Sequence, residues 1–287
     1  MTRNATGPGA QVVALPRLWR TAAGALRALA RVTVLAMAAQ VLLADQLPNT
    51  LAQMRLFAAL VLAPELAAWA IVRAYSATLS VEDGTLVLQQ RGRRVEVTVA
   101  AIEAVEAWSL PLPAPGVSLV LDSGERLAEG IARVDAEALA AAMIAGGARV
   151  SLRDGAAGRA IAYSAARMRN PYGRLDHPLI KFLLFSLVPT LPAFRLHQYI
   201  AYGGTFGEYY TFGLRAYLIA FAIWWASWVI NLVLCAGVLR VVVEAATALA
   251  VMIAPGAAPA ARRVLELLAR IVFYVGIPGA FLFQLAR

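Results

Sequence analysis

Long apolar runs alternate with short polar connections along this chain, and one long polar stretch interrupts the series. The apolar runs fall at roughly 25–44, 56–72, 179–194, 216–239 and 265–285. A helix rises about 1.5 Å per residue, so each run predicts a helix near the ~30 Å needed to cross bilayer hydrocarbon. Between the second and third runs the period changes. Residues 75–146 break into β-branched segments at 75–81, 85–91, 94–99, 102–110, 117–122 and 125–131, separated by turn pairs such as Asp83-Gly84 and Ser123-Gly124 and by a proline-rich break at 111–115. Over 85–88 and 95–99 every second residue is apolar, which predicts strands with one buried face. A helix should follow, with Asp135 at its N-cap and Leu139, Ala142 and Met143 on its apolar side. The predicted fold class is an α-helical polytopic membrane protein of about five transmembrane helices with an inserted antiparallel β-sheet plus helix.

This divides the chain into an N-terminal segment (1–24), a pair of transmembrane helices (25–72), the β module (75–146), a juxtamembrane segment (147–178) and three further transmembrane helices (179–287). Charge supplies the orientation. Of 26 basic residues, 22 lie in 1–31, 73–181 and 240–270, and four in 45–55, 195–215 and the C-terminus. Lysine and arginine accumulate on the cytoplasmic side, which places the N-terminus and the β module inside and the C-terminus outside. The net charge of +9 is then explained by topology and by anionic headgroups, and no nucleic acid is needed as a partner. Lys181 is the only lysine, and the Arg, Ala, Leu and Val bias suggests a GC-rich genome and hence a bacterial inner membrane. The stretch between Arg31 and Asp45 is short and follows a basic leader, so a secretory signal is the alternative to a first retained span.

The segments "YSATLSVEDGTLVLQQRGRRVEVTVAAIEAVEAW" and "GVSLVLDSGERLAEGI", followed by a helix, resemble the bacterial pleckstrin-homology-like domains attached to membrane spans. That resemblance implies a binding or scaffolding module without catalytic residues. With five arginines against ten acids, residues 75–146 carry a net −5, which disfavours headgroup capture by the module's overall field and favours a protein partner. Residues 147–181 reverse the sign to +5, so Arg159, Arg167, Arg169, Arg174 and Lys181 are candidate contacts to anionic lipid. Ordinary positive-inside excess accounts for the same charges.

Candidate chemistry is sparse. Glu65 lies ten residues after Arg55 and eight before Arg73, inside an apolar run, where a carboxylate costs roughly 3 kcal/mol or more unless it is protonated or paired. Asn231 is the amide expected at a comparable depth. The connection 195–213 is dense in aromatics and glycine, and Arg195, His197, Tyr202, Gly203, Gly204, Glu208 and Tyr209 could meet there on a ligand or partner. Pro189 and Pro192 should kink or end the helix before it. Residues 241–254 extend the fourth run by about 20 Å, with Arg240 and Glu244 at helical i,i+4 spacing, and this apolar extension needs a cover. Nucleotide, zinc-protease and serine-hydrolase motifs are missing from the sequence, and the single Cys235 excludes an intrachain disulfide. No cofactor or metal is expected. Scaffold, assembly or regulatory work through protein contacts is the expectation; the alternative is a lipid-handling transporter or membrane enzyme using Glu65 and the 195–213 loop.

Overall fold

The structure is a computed structural model that describes residues 9–43, 49–108, 110–147, 150–152, 156–168 and 174–285. Its strands are β1 (Ala10–Pro16), β2 (Ser76–Glu82), β3 (Thr85–Gln90), β4 (Arg93–Thr98), β5 (Ile102–Ala107), β6 (Gly116–Leu121), β7 (Glu129–Ala132) and β8 (Ser151–Leu152). Its helices are α1 (Arg17–Leu43), α2 (Thr50–Phe57), α3 (Ala63–Ala74), α4 (Ala136–Ala145), α5 (Ala156–Met168), α6 (Leu187–Tyr202), α7 (Gly207–Ile253), α8 (Ala258–Ile271) and α9 (Ile277–Leu285). A π turn over Ala58–Leu62 joins α2 to α3, and another over Leu179–Leu184 leads into α6. Among the described residues, four helices are long and apolar enough to cross a membrane: Arg17–Leu43, Thr50–Ala74, Leu179–Tyr202 and Gly207–Ile253. The fifth expected span falls on α8 and α9, which are separated by a π turn over Val272–Gly276.

Two compact units divide the chain, one formed by Met1–Ala30, Leu62–Pro171 and Glu244–Val264, the other by Arg31–Val61, Tyr172–Val243 and Leu265–Arg287. The first is built on a sheet of order β4-β3-β2-β1-β7-β6-β5-β8, in which seven strands are antiparallel and the two-residue β8 runs parallel to β5. The sheet curls around an apolar core closed by Ala136, Leu139, Ala140 and Met143 of α4, whose N-terminal amides at Glu137 and Ala138 are capped by the Asp135 carboxylate. Two strand boundaries differ from the sequence pattern. β5 ends at Ala107 because the Trp108 amide turns to the Gly116 carbonyl, and most of 125–131 is held only by a Val120–Arg126 bridge before β7.

The larger difference is β1. The N-terminal segment, expected as a cytoplasmic leader, supplies the strand between the two halves of the sheet, pairing Val12 with Ala77 on one side and Ala14 with Ile131 on the other. The reason lies in its alternation. Val12 and Ala14 point into the core beneath α4, whereas Val13 and Leu15 point to the opposite face, where they meet Val72 of α3 and Trp108. Both faces being covered, the strand is apolar throughout apart from Gln11. The Trp108 ring lies over Gly116 and Gly130, where any Cβ would come within 2.9 and 2.6 Å of it, so the missing side chains make its seat. Arg20, in the first turns of α1, stacks its guanidinium 4.8 Å above the same ring.

In the second unit, α6 turns at Gly203, which adopts the left-handed conformation (φ 73°), and α7 begins at once. Gly213 (φ 83°, ψ 173°) breaks α7, leaving a continuous helix over 214–253. Forty residues of helix correspond to about 60 Å, twice the thickness of bilayer hydrocarbon. Gly237 lets α7 approach α1 closely, since a Cβ there would come within 2.5 Å of Val34 Cγ1.

Candidate functional site

The densest cluster of buried polar groups surrounds Glu244 in the first unit, and helical spacing assembles it. On α7, Glu244, Thr247 and Val251 share one stripe; on α5, Tyr163 and Arg167 are one turn apart; on α8, Arg262 follows Ala258 by four residues. Val251, Ala258 and Ala166 form the apolar floor. Above it, Arg262 makes a two-pronged pair with Glu244, Nη1 to Oε2 at 3.0 Å and Nη2 to Oε1 at 2.9 Å, and its side chain has no exposed surface. Arg167 Nε approaches Glu244 Oε1 at 3.5 Å with its side chain 14% exposed, and the Tyr163 hydroxyl donates to Oε2 at 2.5 Å. Arg262 also reaches Thr247 Oγ1 at 3.5 Å. Burial, followed by the hydrogen bond to the carboxylate, pushes the Tyr163 phenol up to about 12. It is therefore a fixed donor at neutral pH and no proton acceptor.

Chemically the cluster is a clamp. One carboxylate is shared by two guanidiniums and a phenol drawn from α5 and α8, which fastens the extension of α7 to both. The clamp covers Val251 in the apolar run 241–254, whereas Val241, Val242, Leu249, Met252 and Ile253 stay exposed. Glu244 pairs with Arg262 and Arg167, and Arg240 reaches Glu266 at 3.5 Å. One sequence expectation changes: Arg167, a candidate lipid contact, is turned inward.

The remaining members of that lipid-contact set are scattered. Arg159 is exposed, Lys181 is half-buried with Nζ 4.7 Å above the Phe273 ring, and Arg169 and the Arg174 side chain lie outside the described residues. Near Lys181, Asp176 accepts from Arg270 at 2.6 Å.

Glu65 finds a cation. Its Oε2 lies 3.5 Å from Arg27 Nε, and Arg27 also donates through Nη1 to the Pro113 carbonyl. With its side chain 40% exposed, Glu65 pairs across the α1–α3 hairpin, and the Asn231 amide, which is exposed, is not needed to satisfy it. Arg27, near the start of the first apolar run, is the partner.

The 195–213 connection is folded, but its polar residues point to different tasks. Glu208, buried, accepts from Gln198 Nε2 at 2.7 Å while the Gln198 Oε1 accepts from the Glu208 amide at 3.1 Å, which ties the ends of α6 and α7 together. His197 packs 5.1 Å from the Trp224 ring, Arg195 lies over Tyr199 at 5.8 Å, Tyr202 meets His197 and Phe212, and Tyr209 is exposed beside Tyr210. Gly203 supplies the turn, Gly204 sits in open space, and Gly207 passes so close to Tyr202 that a Cβ would clash with its carbonyl at 2.5 Å. Arg195, His197 and Glu208 thus hold three separate contacts. Gln198 was invisible to sequence reasoning, although a glutamine ten residues before a buried glutamate across a glycine turn is the signal that could have found it. Among the described residues, no group of three or more His, Cys, Asp or Glu side chains could hold a metal ion. No protein-family model, curated protein or solved structure matches the chain.

Proposed function

We propose that this chain is a multispanning scaffold, assembly or regulatory protein of a bacterial inner membrane, working through protein contacts of its sheet module and its helices. The observation that carries the reading is the place of β1. The strand before α1 and the strand after α3 are hydrogen-bonded neighbours, so a membrane hairpin is spliced into one β-hairpin of the module. A module joined to the helices through two neighbouring strands and not through one flexible linker suits docking of a protein partner.

The same adjacency supports the orientation. α1 must leave and α3 return on the side of the sheet, which agrees with the basic residues at 1–31 and 73–181. A leader cut away after α1 would remove the central strand, so the first helix is retained in this reading. The five-span topology counts α8 and α9 as a bent last crossing, with the C-terminus outside. A curled seven-stranded sheet closed by α4 supports the pleckstrin-homology-like assignment, and the module's exposed acids, Glu82, Asp83, Glu103, Asp122 and Glu125 among them, are the groups offered to a basic protein partner.

Affinity purification of the full-length protein in mild detergent tests this. A stoichiometric protein partner should co-purify and should be lost when Glu82, Asp83 and Glu125 are replaced together by lysine. A chain that purifies alone, and whose lipid uptake or turnover disappears with Glu65→Gln, would establish the lipid-handling alternative instead.

A further inference from the structure

We propose that the loop Leu110-Pro111-Leu112-Pro113-Ala114 is a third membrane contact of the sheet module, a wedge that places Leu110 in the bilayer interface beside α1. The proposal rests on the reading of α1 as a membrane-crossing helix. The connections at most other strand ends are charged: Glu82-Asp83-Gly84 between β2 and β3, Arg91-Gly92-Arg93 at β4, Asp122 through Arg126 after β6, and Arg133 with Asp135 after β7, the short Val99-Ala100-Ala101 between β4 and β5 being the exception. From Ala107 to Leu121 there is no charge at all, on a module that is otherwise acidic. Uncharged surface is what an interface with lipid selects.

Position makes the same case. Leu112 packs on Gly24, whose Cβ, were it present, would lie 3.6 Å from Leu112 Cβ, and the Pro113 carbonyl accepts from Arg27. Gly24 and Arg27 are roughly two to three turns into α1, so the loop rides some 10–15 Å up a helix that exposes Ala25, Leu29 and Val32 at and beyond this level, with Arg31 beside them. Arg27 has its guanidinium engaged by that carbonyl and by Glu65, which fixes the loop at the depth of an ion pair inside the hairpin. The prolines make such a position affordable, because a residue without an N–H leaves fewer donors to satisfy near hydrocarbon. Pro113 is buried against the helix, while Leu110, with 71% of its surface exposed, points away from the protein. A large apolar side chain held out at this level by a braced loop meets lipid at the glycerol and upper acyl region.

The test uses full-length protein with Cys235→Ala and one new cysteine at Leu110, Val32 or Ser123, each an exposed position where the substitution leaves packing intact. An environment-sensitive nitrobenzoxadiazole thiol label is attached, and each protein is reconstituted into phosphatidylcholine and phosphatidylglycerol vesicles containing lipid spin-labelled high on the acyl chain. Labels at Val32 and Leu110 should both emit to the blue of the Ser123 label and be quenched several-fold more strongly. Quenching at Val32 with Leu110 behaving like Ser123 would overturn the wedge and leave the span intact. Absence of quenching at Val32 would overturn the membrane-crossing reading of α1, and the wedge with it.

Discussion

Removal of Glu244 should cost more than removal of either arginine that binds it. Glu244→Ala leaves Arg262, with no exposed side-chain surface, and Arg167, 14% exposed, facing a site from which the carboxylate has gone. Breaking a buried pair by deleting one partner costs about 3–5 kcal/mol, because the remaining charge has lost both water and its counter-ion. Arg262→Met is milder: Glu244 is 22% exposed and retains Arg167 and the Tyr163 hydroxyl, so about 2 kcal/mol is expected. The double variant Glu244→Met, Arg262→Met should lose less than the two single changes together, since an apolar pair replaces an ionic one in a site floored by Val251, Ala258 and Ala166. Thermal unfolding in detergent at fixed pH reads this. At about 2–4 °C per kcal/mol, Glu244→Ala should lower the apparent midpoint by roughly 10 °C and Arg262→Met by about half as much. An Arg262→Met shift larger than that of Glu244→Ala, or strictly additive single and double variants, would refute the shared-carboxylate account.

Tyr163→Phe should cost about 1–2 kcal/mol at neutral pH, with little change up to about pH 9. The phenol is raised from 10 to about 12 on folding, so its contribution is full below 10 and is lost only as the pH climbs through 12; a loss that vanished by pH 8 would count against the hydrogen bond to Glu244. Gly237→Leu should weaken the α1–α7 contact by about 1–3 kcal/mol through overpacking on Val34, while Gly204→Ala, in open space, should leave thermal stability unchanged. A chain shortened to residues 17–287 should still enter membranes, yet its sheet should become protease-sensitive, because β2 and β7 lose the strand between them. Reporter fusions after residues 50 and 205 should score as external and those after 120 and 257 as cytoplasmic; a cytoplasmic signal at 205 would overturn the topology.

Helices and hairpins were legible wherever the signal is local. The Asp135 cap, the Asp83-Gly84 turn and the long apolar runs each announce themselves within a few residues. β1 was not legible for the opposite reason. Its apolar run Val12 to Leu15 passes straight into a helix, with no turn to mark a hairpin, and its partners come some sixty and more residues later in the chain. Glu65 reads from the sequence as needing a partner, and depth in the bilayer points to Asn231; the actual partner, Arg27, stands on the preceding apolar run, where no local spacing links the two. Glu244 is a further case: helical spacing places it on one stripe of α7 but does not specify which side chains of α5 and α8 its carboxylate meets, a two-pronged guanidinium among them. Periodicity shows which face a residue occupies, and only tertiary packing shows what faces it.

The placement of β1 has a consequence for biosynthesis. The strand leaves the ribosome before either of its neighbours, and the residues that close the sheet on its far side, Glu129–Ala132, are made more than a hundred residues later. At about 5–20 residues per second that interval is on the order of ten seconds. During it the α1–α3 hairpin has already been offered to the membrane, while Val12 to Leu15 wait with one or both edges open. Sheet closure then comes after membrane insertion and acts as its check: a hairpin inserted the wrong way round would strand β1 across the bilayer from β2 and β7. Such a chain would carry a split sheet with two bare edges, the kind of surface that quality-control proteases and chaperones recognise. Under the proposed topology, correct insertion and a completed sheet go together, which makes the seven residues of β1 the proofreading element for the helices that follow them.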